Sequence, residues 1–478
     1  MGPANFDAAM TDWAATQRQW LRSGGRSRLQ AVFARGIDMT SHYSGTGAAE
    51  LSVAAIAAGV SQEWNSESGV FAGVKFHGCC DLSPICRQVL MSHSAESKSE
   101  HCFGDMCSRP PESVVDQLRK LLLKHQRKAN DAPSARRQTD IGKEWVSSAM
   151  EVLKSWEPQR SDTAQCYCHG RACPLFPPRT SRYHLEVSGI NCQPWSAAGK
   201  RLGWLDDRSI PCLILVRSIL GVEPDGVCIE CTPEFDFPTL ANLLQAKYDG
   251  DFVLTSPEDH GMPVARRRKY MWFDRRASVA EMHVKVCDLL MHTRRVPRIG
   301  PEDYLRAPLA ELQQHYNKLL EVAIRAGKLV EPSVPQRRRR TKGPRFSHLR
   351  LRDVLYGGYL GRYEVYRKNL QESLAKRGCH LVDIAKSPGY SSAPTSSRFP
   401  TLLKSSCLVA MYDSAESDRL VLPSELPAVH GLHIPPIVAA DLPPRAVRAL
   451  VGNSMHVAQV GCFVQFALAG RTLSSQEE

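Results

Sequence analysis

No apolar run in this 478-residue chain approaches the length of about 18 residues that a membrane-spanning helix needs. The longest, at 51–60 and 210–216, stop well short. The opening segment, MGPANFDAAMTDWAATQRQW, is polar throughout and lacks the apolar stretch of a secretory signal. No internal repeat is visible, which argues against solenoids and propellers. Acidic residues are outnumbered, 49 against 61 basic ones, for a net charge of +12. These absences point to an intracellular protein with no membrane partner, and the basic excess leaves two readings open, a polyanionic partner or solubility with a sorting run.

Charged residues at 23% and hydrophobic ones at 43% fit a chain that folds around a core. The 16 cysteines are dispersed over the whole length and do not resemble a small disulfide framework, so reduced thiols are expected. Cys166, Cys168, His169 and Cys173 place four sulfur and nitrogen donors within eight residues. That spacing is tighter than the paired Cys-x2–4-Cys of structural zinc sites. A reduced cysteine-rich loop without metal is therefore the expectation, and zinc the alternative.

Residues 1–35 read as a polar leader, partly helical. Tyr43, Gly45 and Gly47 then form a glycine turn opening into an alanine-rich helix, the start of a βα unit able to hold a nucleotide-like ligand. Strand candidates at 73–81, 184–189, 226–230 and 269–273 alternate with helical segments at 84–93 and 209–220. Alternation of this kind predicts an α/β fold, a mixed, mostly parallel sheet with helices on both faces. Residues 108–180 break the rhythm and read as an insertion within a domain spanning 36–280. A smaller domain is expected over 281–418, with 419–478 returning to the first. The basic run QRRRRTK at 336–342 reads either as a phosphate-contacting or nuclear-sorting segment, or as a solvated linker.

The most specific motif is GINCQPWSAAGKR at 189–201, which places Cys192 directly after a strand. It resembles the nucleophile loop of the cytosine-5 DNA methyltransferases, and motifs on either side follow in the family's order. Tyr43, Gly45 and Gly47 occupy the Phe-x-Gly-x-Gly turn. Glu230 sits where the family has Glu-Asn-Val, Arg266 and Arg268 where it has Gln-x-Arg-x-Arg, and Gly452, Asn453 and Ser454 form its late Gly-Asn-Ser. The resemblance covers roughly 38–106, 184–275 and 419–470.

The resemblance implies a Rossmann-like S-adenosylmethionine-dependent methyltransferase fold plus a smaller target-recognition domain, the least similar part among members. It implies S-adenosylmethionine as cofactor and duplex DNA, with the target cytosine flipped out, as partner. Cys192 would add to C6 of cytosine so that C5 takes the methyl group, with Glu230 at N3. Arg268 would bond O2, and Arg266 would hold the nucleophile loop. On the cofactor side Asp81 would take the ribose hydroxyls and Asp105 the adenine amine, beside Tyr43, Gly45, Gly47, Asn453 and Ser454. The sequence departs from the pattern at Asn191 (for Pro), Cys231 and Thr232 (for Asn-Val), and Val264 (for Gln), while Ala48 and Ser41 lack the usual Gly and Asp. Two alternatives stay open. One is the same chemistry on tRNA, whose branch of the family carries a double proline before the cysteine; the other is a catalytically silent DNA-binding member.

Overall fold

The computed structural model describes residues 25–64, 72–196, 199–294, 300–329, 349–377, 379–389, 398–403 and 405–474. The basic run at 336–342 and most of the expected leader lie outside them.

Seven strands form the central sheet: β1 (Ile37–His42), β2 (Val74–Cys80), β3 (His101–Phe103), β6 (Tyr183–Gly189), β7 (Gly226–Cys231), β8 (Tyr248–Thr255) and β9 (Arg268–Arg275). Their order is β3-β2-β1-β6-β7-β9-β8. The first five are parallel, whereas β9 runs antiparallel to both β7 and β8. β8 was not among the strands expected from sequence. Its first half reads Tyr-Asp-Gly-Asp, with Asp249 and Gly250 exposed, so it lacks the apolar run of its neighbours.

Side chains alternate across the sheet with the period of two that a pleated strand imposes. In β9, Tyr270 and Trp272 enter one core while Met271 and Phe273 enter the other. The first core is closed by α1 (Gly25–Arg35), α2 (Ala48–Trp64) and α11 (Val457–Ala469). All 13 residues of α11 are buried, the mark of a helix apolar on every side and enclosed by the fold. Arg28 Nε donates to Ala469 O at 2.6 Å, so the end of the expected leader is packed onto this layer.

The opposite core takes α4 (Glu112–Asn130), α5 (Ala135–Leu153), α6 (Ile210–Val222) and α7 (Phe237–Leu244), while α3 (Pro84–Met91) lies near the β2–β3 edge. α4 and α5 form a helical hairpin, with Ser134 capping α5 by accepting from the Arg137 N–H. Their apolar faces, including Trp145, Ile141 and Leu118, are fully buried against Trp204, Leu205 and α6. The segment expected to be an insertion thus supplies the crossover from edge strand β3 to central strand β6. The rhythm broke because two long, charged and strongly amphipathic helices stand in this stretch. A small hairpin, β4 (Thr163–Gln165) and β5 (Ala172–Pro174), completes it.

A further core lies between α8 (Leu309–Arg325), α9 (Gly357–Arg377) and a three-stranded antiparallel sheet of β11 (Cys379–Asp383), β12 (Leu408–Tyr412) and β13 (Arg419–Leu420). Val382, Val409 and Met411 face these helices, while Leu381, Leu408 and Ala410 face the main core. Buried Asp418 accepts from Tyr363 Oη at 2.7 Å and pairs with Arg367 at 2.8 Å. The boundary expected after 418 therefore falls inside this unit, which runs on through Leu422. β10 (Val279–Met282) pairs with β14 (Arg471–Leu473), joining the chain after β9 to the C-terminal segment.

Trp145 is fully buried, and truncating a buried Trp costs about 3–5 kcal/mol. Trp145→Ala is expected to shift the main unfolding transition as a whole in scanning calorimetry. A separate early transition that leaves the main one in place would show the α4–α5 hairpin to be independent of the sheet.

Candidate active site

Parallel strands bring their carboxyl ends to one edge of the sheet, where the loops leave a crevice. The residues singled out in the sequence gather along that edge. Tyr43 follows β1, Asp81 follows β2, Asp105 follows β3, Cys192 follows β6 and Glu230 lies near the end of β7. Arg268 opens β9, and because β9 is antiparallel its first residue reaches the same edge, one step beyond the Cys231–Lys269 register pair.

In the turn after β1, Tyr43, Gly45 and Gly47 all have positive φ, at 53°, 57° and 82°. The Gly45 N–H donates to Asp81 Oδ2 at 2.9 Å, and the Ser83 N–H donates to Oδ1 at 2.8 Å. Asp81 thereby ties the turn to the start of α3. Burial raises its carboxyl above the ordinary aspartate value, opposed by these N–H bonds. A Cβ at Gly47 would lie 2.1 Å from the His93 ring, so only glycine fits there. At Gly45 the nearest atom to such a Cβ is Ser454 Oγ at 3.6 Å, which leaves the turn open to a close ligand. Thr46 Oγ1 and Ser454 Oγ are hydrogen bonded at 2.7 Å across 408 positions of sequence. Asp105 is exposed and accepts from the Cys107 N–H at 2.9 Å, and Asn453 is exposed at the end of α10 (Pro444–Asn453).

The loop carrying Cys192 is held by its own backbone. Trp195 and Ser196 N–H both donate to Cys192 O, at 3.1 and 2.9 Å. Asn191 Oδ1 accepts from the Gln193 N–H at 3.0 Å, a side-chain turn that restrains the chain where proline would have fixed φ. Trp195 is packed edge-on against Phe235 and Trp204, with ring centroids 4.6 and 5.4 Å away. Arg208 pairs with Asp206 at 2.6 Å and donates to Gln193 Oε1. Ala197 and Ala198 lie outside the described residues.

Glu230 and Arg268 form an ion pair, Oε1 to Nε at 3.0 Å, with both side chains largely buried. Their charges and that of Arg266 all reach Cys192. Burial raises its thiol above the ordinary cysteine value, the Arg268 guanidinium lowers it, Glu230 raises it and Arg266 lowers it again. Arg266 is 3% exposed, and burial pulls its guanidinium down to about 10, with Arg268 adding to the fall. It donates to Gly452 O at 3.1 Å and Ser454 O at 2.7 Å. The bonds described for it therefore hold the Gly-Asn-Ser segment, where the nucleophile loop was expected. Val264, at the position expected to be glutamine, is fully buried and bridges Phe399.

The cysteine cluster differs from its sequence reading. Cys166, His169 and Cys173 converge, but their fourth neighbour is His101 of β3. Cys168 instead packs beside Cys79, Leu90 and Cys102. Local spacing could not reveal a donor 65 residues away.

The strand order and senses define the Rossmann-like fold of S-adenosylmethionine-dependent methyltransferases. The chain carries, in the motifs already described, a resemblance to the cytosine-5 DNA methyltransferases. No family model matches it, and no curated protein matches it in sequence. Among solved structures it is similar at 12% identity to a prophage-encoded DNA modification methyltransferase of E. coli (TM-score 0.42; 91% of this chain and 98% of that one). It is likewise similar to the Dnmt2 methyltransferase of S. pombe (12%, 0.45; 90% and 98%) and the Entamoeba histolytica methyltransferase EhMeth (12%, 0.41; 90% and 98%).

Sequence reading passed over a buried polar layer beneath the crevice. His42 Nδ1 and Ser188 Oγ meet Glu186 Oε1 at 2.5 and 2.6 Å, and Ser41 donates to Glu50. Glu50 is 1% exposed, and burial raises its carboxyl to about 7, against the Ser41 hydrogen bond. An acid whose folded pKa lies above its unfolded value contributes stability that is complete below about 4.5 and lost as pH rises through about 7. Glu50→Gln removes that loss, so the variant should gain on the wild type by up to about 3 kcal/mol between pH 4 and pH 8. Urea unfolding of both chains across that range tests this, and parallel pH dependences would contradict it.

Proposed function

We propose that this chain is a DNA (cytosine-5)-methyltransferase that uses S-adenosylmethionine and forms a transient covalent bond between Cys192 and the target base. The observation that carries the reading is the convergence on Cys192 of the paired Glu230 and Arg268 and of buried Arg266. C5 of cytosine is not nucleophilic enough to take a methyl group unless C6 is first attacked. A soft thiolate does this and later leaves.

The cofactor supplies a methyl group on an electrophilic sulfonium. The chain's residues fit such a ligand: a glycine turn with room beside Gly45, an acid at the end of β2, an exposed acid after β3, and a Tyr43 hydroxyl without a partner among the described residues. Asp81 would hold ribose hydroxyls with the lone pairs its two N–H bonds leave free, and Asp105 would take the adenine amine.

Cys192 rests as a thiol, because burial favours the neutral form. Arg268 and Arg266 favour the thiolate, so attack draws on their field. Glu230 would take up a proton as the Cys192 thiol gives one up, and in that form would hydrogen bond N3 as the thiolate adds to C6, keeping negative charge off the ring. Arg268, leaving part of its ion pair with Glu230, would bond O2. Loss of the C5 proton to water or a base then expels Cys192 by β-elimination. In a duplex C5 and C6 are stacked, so the base must be turned out at a cost of a few kcal/mol that protein contacts offset. The net charge of +12 suits a polyanionic substrate, and a nuclear location accords with the same basic character.

Purified chain incubated with labelled cofactor and duplex DNA is expected to label DNA, and tRNA far less. Cys192→Ser should abolish transfer, and Glu230→Gln should slow it about 10²–10⁴-fold. Transfer to tRNA alone would replace the DNA reading. Transfer to neither, from folded protein that binds DNA, would make the chain a silent member.

A further inference from the structure

We propose that His101, Cys166, His169 and Cys173 bind a structural zinc ion that fastens the β4–β5 hairpin to the edge of the central sheet. The proposal is independent of the catalytic reading.

The local fold gathers three of the donors. Cys166 follows β4 and Cys173 lies in β5 opposite Ala164. Between them the chain turns tightly, with the Cys166 N–H donating to Arg171 O at 2.9 Å and the Gly170 N–H to Cys166 O at 2.9 Å. Gly170 has φ of 67°, the left-handed conformation that closes such a turn. The hairpin lies along β3, where the Tyr167 N–H donates to Cys102 O at 2.7 Å, so His101 comes up beside the turn.

The distances among the four donors fit a tetrahedron. His169 Nδ1 lies 3.5 Å from Cys166 Sγ, 3.4 Å from Cys173 Sγ and 3.3 Å from His101 Nδ1. His101 Nδ1 is 3.9 Å from Cys166 Sγ, and all four atoms lie within 4.8 Å of one another. Zinc bonds of about 2.3 Å to sulfur and about 2.05 Å to nitrogen, at tetrahedral angles, give edges of about 3.6 Å for S–N and about 3.3 Å for N–N. Hydrogen bonding alone accounts poorly for this arrangement. One ring nitrogen can serve one in-plane partner, yet His169 Nδ1 faces three. A cation at their common centre satisfies all of them.

Two thiolates and two imidazoles select zinc over calcium or magnesium, which prefer oxygen. Four protein ligands leave no open position, the pattern of a structural site. His77 and Glu100 each bring a polar atom within 4.8 Å of a His101 ring nitrogen, the His77 ring centroid lying 5.1 Å from that of His101, so polar groups surround this ligand. A cleft of about 610 Å³ bordered by His101, His169 and Cys173 gives an ion a way in. The hairpin also carries Tyr167, whose ring covers Gly104 and lies 4.1 Å beneath the Arg87 guanidinium. The ion thus holds a wall next to Asp105.

The full chain, purified under reducing conditions without chelator, should contain one zinc per chain by elemental mass spectrometry. Exchange for cobalt(II) should give thiolate-to-metal charge-transfer absorption and the intense d–d bands of a tetrahedral site. His101→Gln should lose the ion on dialysis against a chelator weak enough for wild type to retain it, whereas Cys168→Ser should keep it. Wild-type protein with well under one metal ion per chain and no tetrahedral cobalt spectrum would overturn the proposal, with no variant needed. So would a Cys166–Cys173 disulfide under those conditions, or a chain that needs Cys168 but not His101.

Discussion

The site depends on a buried guanidinium. Arg266 precedes β9, and its two terminal nitrogens are bonded to the carbonyls of Gly452 and Ser454. A buried charge costs several kcal/mol unless its donors are satisfied, and here two carbonyl dipoles meet the terminal nitrogens while Nε has no partner among the described residues. Through this tie Ser454 is placed where its hydroxyl meets Thr46 in the glycine turn. Segments from the beginning, middle and end of the chain are thereby fixed around one crevice. The fully buried α11 begins at Val457, just beyond Ser454, so the same tie anchors the helix that closes the first core.

Charge balance around Cys192 follows from this framework. The thiol lies in surroundings that favour its neutral form, between two arginines that favour ionisation and one glutamate that opposes it. Ion pairing of Glu230 with Arg268 mutes both in the resting site. A ligand that drew Arg268 or protonated Glu230 would change the balance at the sulfur. Reactivity would then rise where a substrate is bound and stay low elsewhere, which protects a cysteine among 16 from indiscriminate modification.

Much of the arrangement was legible in the sequence because it rests on local signals. Strands β2, β6 and β7 showed as short strand candidates whose carboxyl ends carry residues that now line the crevice, and β9 as one that brings Arg268 there from its amino end. What escaped depended on distance in sequence or on context. β8 has an exposed Asp-Gly pair near its start that interrupts its apolar pattern. α4 and α5 are so amphipathic and charged that they read as an insertion, although their buried faces close the second core. Glu50 and Glu186 gave no sign of burial, since their partners come from neighbouring strands and turns. His101 is invisible as a donor until β3 is laid beside the hairpin. Arg266 was singled out from its motif, and the bonds described for it go to the C-terminal segment, a contact across 186 to 188 positions that no local pattern encodes.

The central claim is that Cys192 attacks the base, and covalent capture tests it most directly. Duplex DNA carrying 5-fluorocytosine has no C5 proton to lose, so methyl transfer should leave the enzyme bonded to the base. Mass spectrometry after proteolysis is expected to find the adduct on Cys192, and only when S-adenosylmethionine is present. An adduct on another cysteine, or labelled DNA released with no adduct at all, would contradict the account.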